Sequence, residues 1–292
     1  MGAILPLIVG CMANRQIARS LECAPSTVAH QIARLGRHCL LFQARDLPRV
    51  SVSGEVVVDG FETFEFSQYF PFHHNVAVEA DTGYMLYHTD SALRRKGRMT
   101  PFQKRKRAEL EARYGRSDPR AVETGMRELL DTICRRGSSM IVRSDDHRAY
   151  PRALRPFARR ITHRITPSTQ RRDQRNPLWE VNLLDLMIRH STAAHKRETI
   201  AWSKRRQASA EKLVIFQVWR NYVKKRWEKG RNESPAMLKG LARRRLTTQE
   251  LLAQRLFREH VELPAQWTLY YERRVTTAAL PVNRRHVLTY AF

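Results

Sequence analysis

Between residues 51 and 93 the chain contains no lysine and no arginine. That gap matters because the full 292 residues hold 53 Lys+Arg against 28 Asp+Glu, a formal charge of +25. Cysteine is scarce too: there are four, Cys11, Cys23, Cys39 and Cys134, and no two are spaced as C-x-x-C. This pattern excludes a zinc ribbon and a disulfide framework, and it suits reduced thiols in a cytosol. No apolar run approaches the roughly 18 residues of a membrane span. Met1 to Ala13 is apolar and uncharged, but it lacks the positive start of a secretory signal, so it reads as a buried first helix.

What is present is basic charge, unevenly placed. Residues 1–50 carry +4, residues 51–93 hold seven acids and carry −7, and the other 199 residues carry +28. A net charge of this size says nothing about fold; it predicts attraction to nucleic acid or to an anionic membrane surface. An acidic strand region inside a basic envelope suits a metal site on a protein that holds polyanions.

Two short apolar runs each stop on an aspartate: Gly54-Glu55-Val56-Val57-Val58-Asp59 and Met140-Ile141-Val142-Arg143-Ser144-Asp145. Each reads as a buried strand that delivers a carboxylate to a sheet edge. Asp after a strand is also an ordinary turn residue, so the pair needs support from the rest of the chain. From 54 to about 90 the texture is β, with an Asp81-Thr82-Gly83 hairpin turn, and three antiparallel strands are expected. Pro119 to Cys134 reads as a helix with Val122, Met126, Leu129, Leu130 and Ile133 on one face. A strand to Asp145, a short helical piece from Tyr150 and a last strand at Ile161–Ile165 follow. After Pro177 the chain turns helical, with one long stretch from about 195 to 229 and another at 247–260. The basic segment 94–117 is either a solvated loop and helix or a phosphate-contacting insertion.

Residues 14–35 read as two helices joined by a turn. Asn14 is placed to cap the first, Pro25 and Ser26 to start the second, and Gly36 to end it. The pattern resembles the helix-turn-helix of DNA-binding proteins. In that geometry the second helix enters the major groove. Thr27, His30, Gln31 and Arg34 then lie on its polar side, and Arg15 and Arg19 are placed for phosphates.

Together these segments resemble a bacterial insertion-sequence transposase of the Asp-Asp-Glu type. The resemblance rests on the helix-turn-helix, on Val58-Asp59-Gly60-Phe61-Glu62, on Ser144-Asp145-Asp146-His147-Arg148-Ala149-Tyr150 and on His195-Lys196-Arg197-Glu198-Thr199-Ile200-Ala201-Trp202. It implies an α/β fold: a ribonuclease-H-like mixed sheet with flanking helices, preceded by a small all-α helix-turn-helix domain. The expected division is 1–42 helix-turn-helix, 43–53 linker, 54–230 catalytic domain and 231–292 basic helical extension. Asp59, Asp145 and Glu198 are the implied catalytic and metal-binding set. Asp146 is the alternative to Asp145. Glu180, which lies 35 residues after Asp145, is the alternative to Glu198.

Two Mg²⁺ or Mn²⁺ ions would activate a water and stabilise the leaving oxygen. The implied partners are the double-stranded DNA of element ends and target, with a homo-oligomer pairing two ends, in the bacterial cytoplasm at the nucleoid and with no membrane. The competing expectations are a non-catalytic DNA-binding protein, either a regulator or a decayed transposase, and a structured-RNA binder.

Overall fold

Three helices precede any strand in the computed structural model, which describes residues 1–52, 54–134, 139–196 and 199–281. α1 (Ile4–Val9) buries Ile4, Leu5 and Ile8. α2 (Asn14–Ser20) begins on Asn14 and is not capped by it; the Gln16 side chain reaches back and accepts a hydrogen bond from the Ala13 N–H at 2.8 Å. α3 (Pro25–Asp46) opens on Pro25, whose missing N–H has no partner to lose in a first turn. Ser26 lies inside that turn, and Ala24 takes the cap position.

Gly36 does not end α3 as its sequence context predicted. A Cβ at position 36 would lie 3.1 Å from the Cβ of Glu211 and 3.3 Å from its Cα. The glycine permits a close helix–helix approach, and the helix runs on to Asp46.

The acid-rich stretch builds β1 (Glu55–Glu65), β2 (Phe70–Glu79) and β3 (Met85–Ala92), an antiparallel meander. Gly83, at φ +63°, supplies the left-handed residue of the β2–β3 turn. α4 (Pro101–Tyr114) buries none of its side chains, whereas α5 (Ala121–Cys134) packs its apolar face on the sheet. β4 (Met140–Ser144), α6 (Ala149–Leu154) and β5 (Ile161–Ile165) follow. β4 pairs parallel to β1 and β5 parallel to β4, giving the order β3-β2-β1-β4-β5. The architecture is therefore mixed α/β, a five-stranded mixed sheet flanked by helices.

Alternation along β1 sends its valines to two faces. Val56 and Val58 join α3 and α5 in the larger core, and Val57 joins α7 (Trp179–Ser191) and α8 (Arg206–Val218) in the smaller one. The helix expected over 195–229 is shorter because it is interrupted at both ends. A 3₁₀ turn holds Ala193–His195, and a π turn at Trp219–Val223 closes α8. That wide turn places buried Asn221 to bond the Met85 backbone in both directions (3.0 and 2.9 Å) and the Tyr222 hydroxyl to donate to Asp46 (2.6 Å).

In the described part of the C-terminal region, α9 (Pro235–Leu238), α10 (Thr248–Ala253) and α11 (Ala265–Tyr271) are short. Trp267 is buried in α11 and donates its indole N–H to the His88 carbonyl. No helix among the described residues is long and apolar enough to cross a membrane.

Candidate active site

β1 pairs with β4 only over Glu55–Val57 against Ile141–Arg143. Carrying that register two residues further sets Asp59 opposite Asp145. Asp145 follows directly on β4, as expected. Asp59 does not end its strand, because β1 continues to pair with β2 from Asp59↔Val76 to Glu65↔Phe70. The parting of β1 and β4 thus opens beside two carboxylates.

Asp59 Oδ1 accepts the Gly60 N–H at 2.7 Å and the Tyr150 hydroxyl at a long 3.4 Å. Asp145 Oδ1 accepts the His147 N–H at 3.0 Å. Burial raises the Asp59 pKa above the usual carboxylate range, and the Asp145 charge adds to it; the Gly60 N–H, His73 and Arg172 pull the other way. Tyr150 is fully buried, and burial followed by the charges of Asp59, Asp145 and Asp185 pushes its phenol up. The His147 ring lies 5.3 Å from that of Tyr150 and 6.5 Å from that of His73. Burial lowers the His147 pKa against the pull of Asp145. A Cβ on Gly60 would fall 2.3 Å from His73 Nδ1, so the glycine after Asp59 makes room for this histidine.

The other expected site residues are distributed as follows. Asp146 is exposed and bonds Ser168, chiefly through that side chain, which lowers its pKa. Glu180, in the first turn of α7, pairs with the buried Arg226 at 2.8 Å and also acts on Arg220. Glu198 lies outside the described residues. Asp185 was not singled out from the sequence. It sits five residues beyond Glu180, about 140° round the helix at 3.6 residues per turn, and its charge reaches Tyr150 together with those of Asp59 and Asp145. The available signal was an acid inside the apolar run Leu183-Leu184-Asp185-Leu186-Met187. Arg15 and Arg19 on α2, and Thr27, His30 and Arg34 on α3, are exposed, with Gln31 half-buried beside them.

Among the described residues no three His, Cys, Asp or Glu side chains converge as a metal-binding group. Asp59 and Asp145 are nonetheless hard oxygen donors. Mg²⁺ commonly takes one or two carboxylates from a protein and fills its shell with water and substrate phosphate. A divalent cation here would also offset the repulsion that Asp145 exerts on Asp59.

The sequence matches no family model, and no curated protein matches it.

Proposed function

We propose that this chain is a divalent-metal-dependent enzyme acting on DNA phosphodiesters, a transposase of the Asp-Asp-Glu type whose fold is ribonuclease-H-like. The pair Asp59, on β1, and Asp145, just past the parallel β4, set opposite each other by the continued register and in electrostatic contact, carries the reading. The strand order, three antiparallel strands followed by two parallel additions, supports it. So does the exposed set Arg15, Arg19, Thr27, His30 and Arg34 on two helices joined by four residues, an arrangement suited to duplex DNA.

Asp59 and Asp145 would hold Mg²⁺ or Mn²⁺, which when bound supplies Lewis-acid polarisation and an activated water. The residues of the chain position that chemistry. The His147 N–H orients the Asp145 carboxylate, and Tyr150 keeps a proton donor on Asp59. We assign the third carboxylate to Asp185 ahead of Glu180, because the Glu180 carboxylate is taken up by Arg226. Glu198 stays in the test as the family-type alternative.

The test is nicking of duplex DNA carrying the inverted repeats that flank the gene, with and without Mg²⁺ or Mn²⁺. Asp59→Ala and Asp145→Ala are expected to abolish nicking and keep DNA binding. Asp185→Asn is expected to lower it at least 100-fold; if Glu198→Gln does so instead, the third carboxylate is Glu198. Wild-type cleavage by Asp59→Ala would sink the enzyme reading. Tight duplex binding with no nicking by any form would leave a non-catalytic DNA-binding protein, and preference for structured RNA would leave an RNA binder.

A further inference from the structure

One side of α3 is lined by arginines without acids. The helix has a single acidic residue, Asp46, at its far end, where it is buried and bonded by Arg45 and Tyr222. Several arginines elsewhere are matched by acids: Arg94 with Glu111, Arg127 with Glu123, Arg206 with Glu65 and Asp90, Arg244 with Glu250. Arg34 and Arg37, one turn apart on α3, make no ion pair among the described residues, and neither does Arg255 of the segment that follows α10.

These residues line a groove of about 520 Å³ between α3 and residues 254–259. Its walls hold four guanidinium groups, Arg34, Arg37, Arg255 and Arg258, against one carboxylate, Glu259. Tyr271 lies within electrostatic reach of Arg37, Arg258 and Glu259. Burial lowers the Arg37 pKa, against the pull of Tyr271 and Glu211, and the like charges of Arg273 and Arg34 lower it further. A cation placed near other cations in a partly dry cleft is destabilised until an anion arrives. Phe257, 51% exposed, stands on the same wall.

We propose that this groove seats the phosphate backbone of duplex DNA, so that the DNA-binding face is composite: residues 254–259 continue the polar face of α3. Arg34 belongs to both parts. It is the last residue of the Thr27–His30–Gln31–Arg34 face and the first of the groove, so a duplex lying on the early turns of α3 runs on toward Arg37 and Arg255. The proposal rests on the DNA-binding part of the function above and is independent of cleavage. Phosphate contacts fix register and affinity without reading sequence, so Arg37, Arg255 and Arg258 are positioning residues.

The experiment is fluorescence anisotropy with a 30-base-pair duplex of the inverted repeat and a scrambled duplex, across a salt series, in the absence of divalent metal. Each phosphate contact contributes about −0.9 to the slope of log K against log salt, or roughly eightfold in affinity at 0.1 M. Arg255→Ala is expected to flatten the slope by about 1 and weaken both duplexes equally. Arg37→Ala/Arg255→Ala should flatten it by about 2. Gln31→Ala should change the preference between duplexes and leave the slope alone. Because Arg255 is exposed, its replacement should leave the melting temperature unchanged, which separates a contact from a folding defect. Unchanged slope and affinity in both arginine variants overturn the proposal, as does a wild-type preference for single-stranded RNA over duplex. Absence of nicking by the wild-type chain with normal anisotropy counts against the enzyme reading only.

Discussion

At Asp59 local energetics and chemistry pull in opposite directions. Its pKa is raised in the folded chain by burial and by Asp145, so folding favours the protonated acid. The stability this gives is present at low pH and is lost as pH rises through the folded-state pKa. Asp59→Asn removes the cost of carrying the charge. It should raise the melting temperature at pH 7 by about 2–4 °C, the scale of ~1 kcal/mol in a chain this large, with the gain shrinking toward pH 4. Calorimetry at the two pH values checks this, and the same variant should be inactive in the nicking assay. Gly60 makes a second point. Gly60→Ala drives a methyl into the His73 ring, so it should displace His73 from the aspartate pair and cost about 1–3 kcal/mol in urea unfolding. The Asp-Gly pair was visible in the sequence as part of a motif; that the glycine serves a histidine 13 positions away was not, because a cross-strand contact has no local pattern.

At the scale of elements, the sheet was the most legible part. A β-textured stretch with the Asp81-Thr82-Gly83 turn placed three antiparallel strands, and a short apolar run placed β4. Helix ends were read poorly. Gly36 looked like a stop because glycine usually is one near a helix end, yet it lies where α3 touches Glu211 of α8. Gly36→Leu should therefore destabilise by about 1–3 kcal/mol through overpacking, measured as a lower urea midpoint with unchanged m. The break at 219–223 follows from polar side chains meeting buried backbone at Met85, which periodicity does not encode. Glu180 and Asp185 also look alike in sequence, and only the helix rotation separates them: Glu180 pairs with Arg226, while the charge of Asp185 reaches Tyr150. α8 is also fastened by Arg206, half-buried between Glu65 (2.5 Å) and Asp90 (3.1 Å). Removing the cation strands two buried carboxylates, so Arg206→Ala should cost about 3–5 kcal/mol, read from the same unfolding curves.

Across the whole molecule, the most distinctive polar feature is a set of three buried histidines. His74 and His195 share the Ser209 hydroxyl at 2.8 and 2.9 Å, and His88 bonds Gln217 at 3.0 Å. Burial holds all three neutral: His88 falls to about 4, His195 to about 3, and His74 well below its usual value. Their folded pKa values lie below that of the unfolded chain, near 6.5, so below that pH the unfolded state binds protons the folded state refuses. Stability should be flat above pH 7 and fall from about pH 6.5 toward 4, with a limiting slope of roughly 4 kcal/mol per pH unit for three groups. Urea midpoints between pH 7.5 and 4.5 check this, and His88→Asn should make the slope shallower if the variant folds.

The joining of α3 to α8 also has a consequence in time. Gly36 and its partner Glu211 are 175 residues apart in the chain. At a synthesis rate of about 5–20 residues per second, α3 leaves the ribosome some 9–35 s before the surface it rests on exists. During that interval the side of α3 that α8 covers in the folded chain lacks its cover. Nascent chains halted before residue 206 should therefore be captured by chaperones and be sensitive to protease, and the released full-length chain should not.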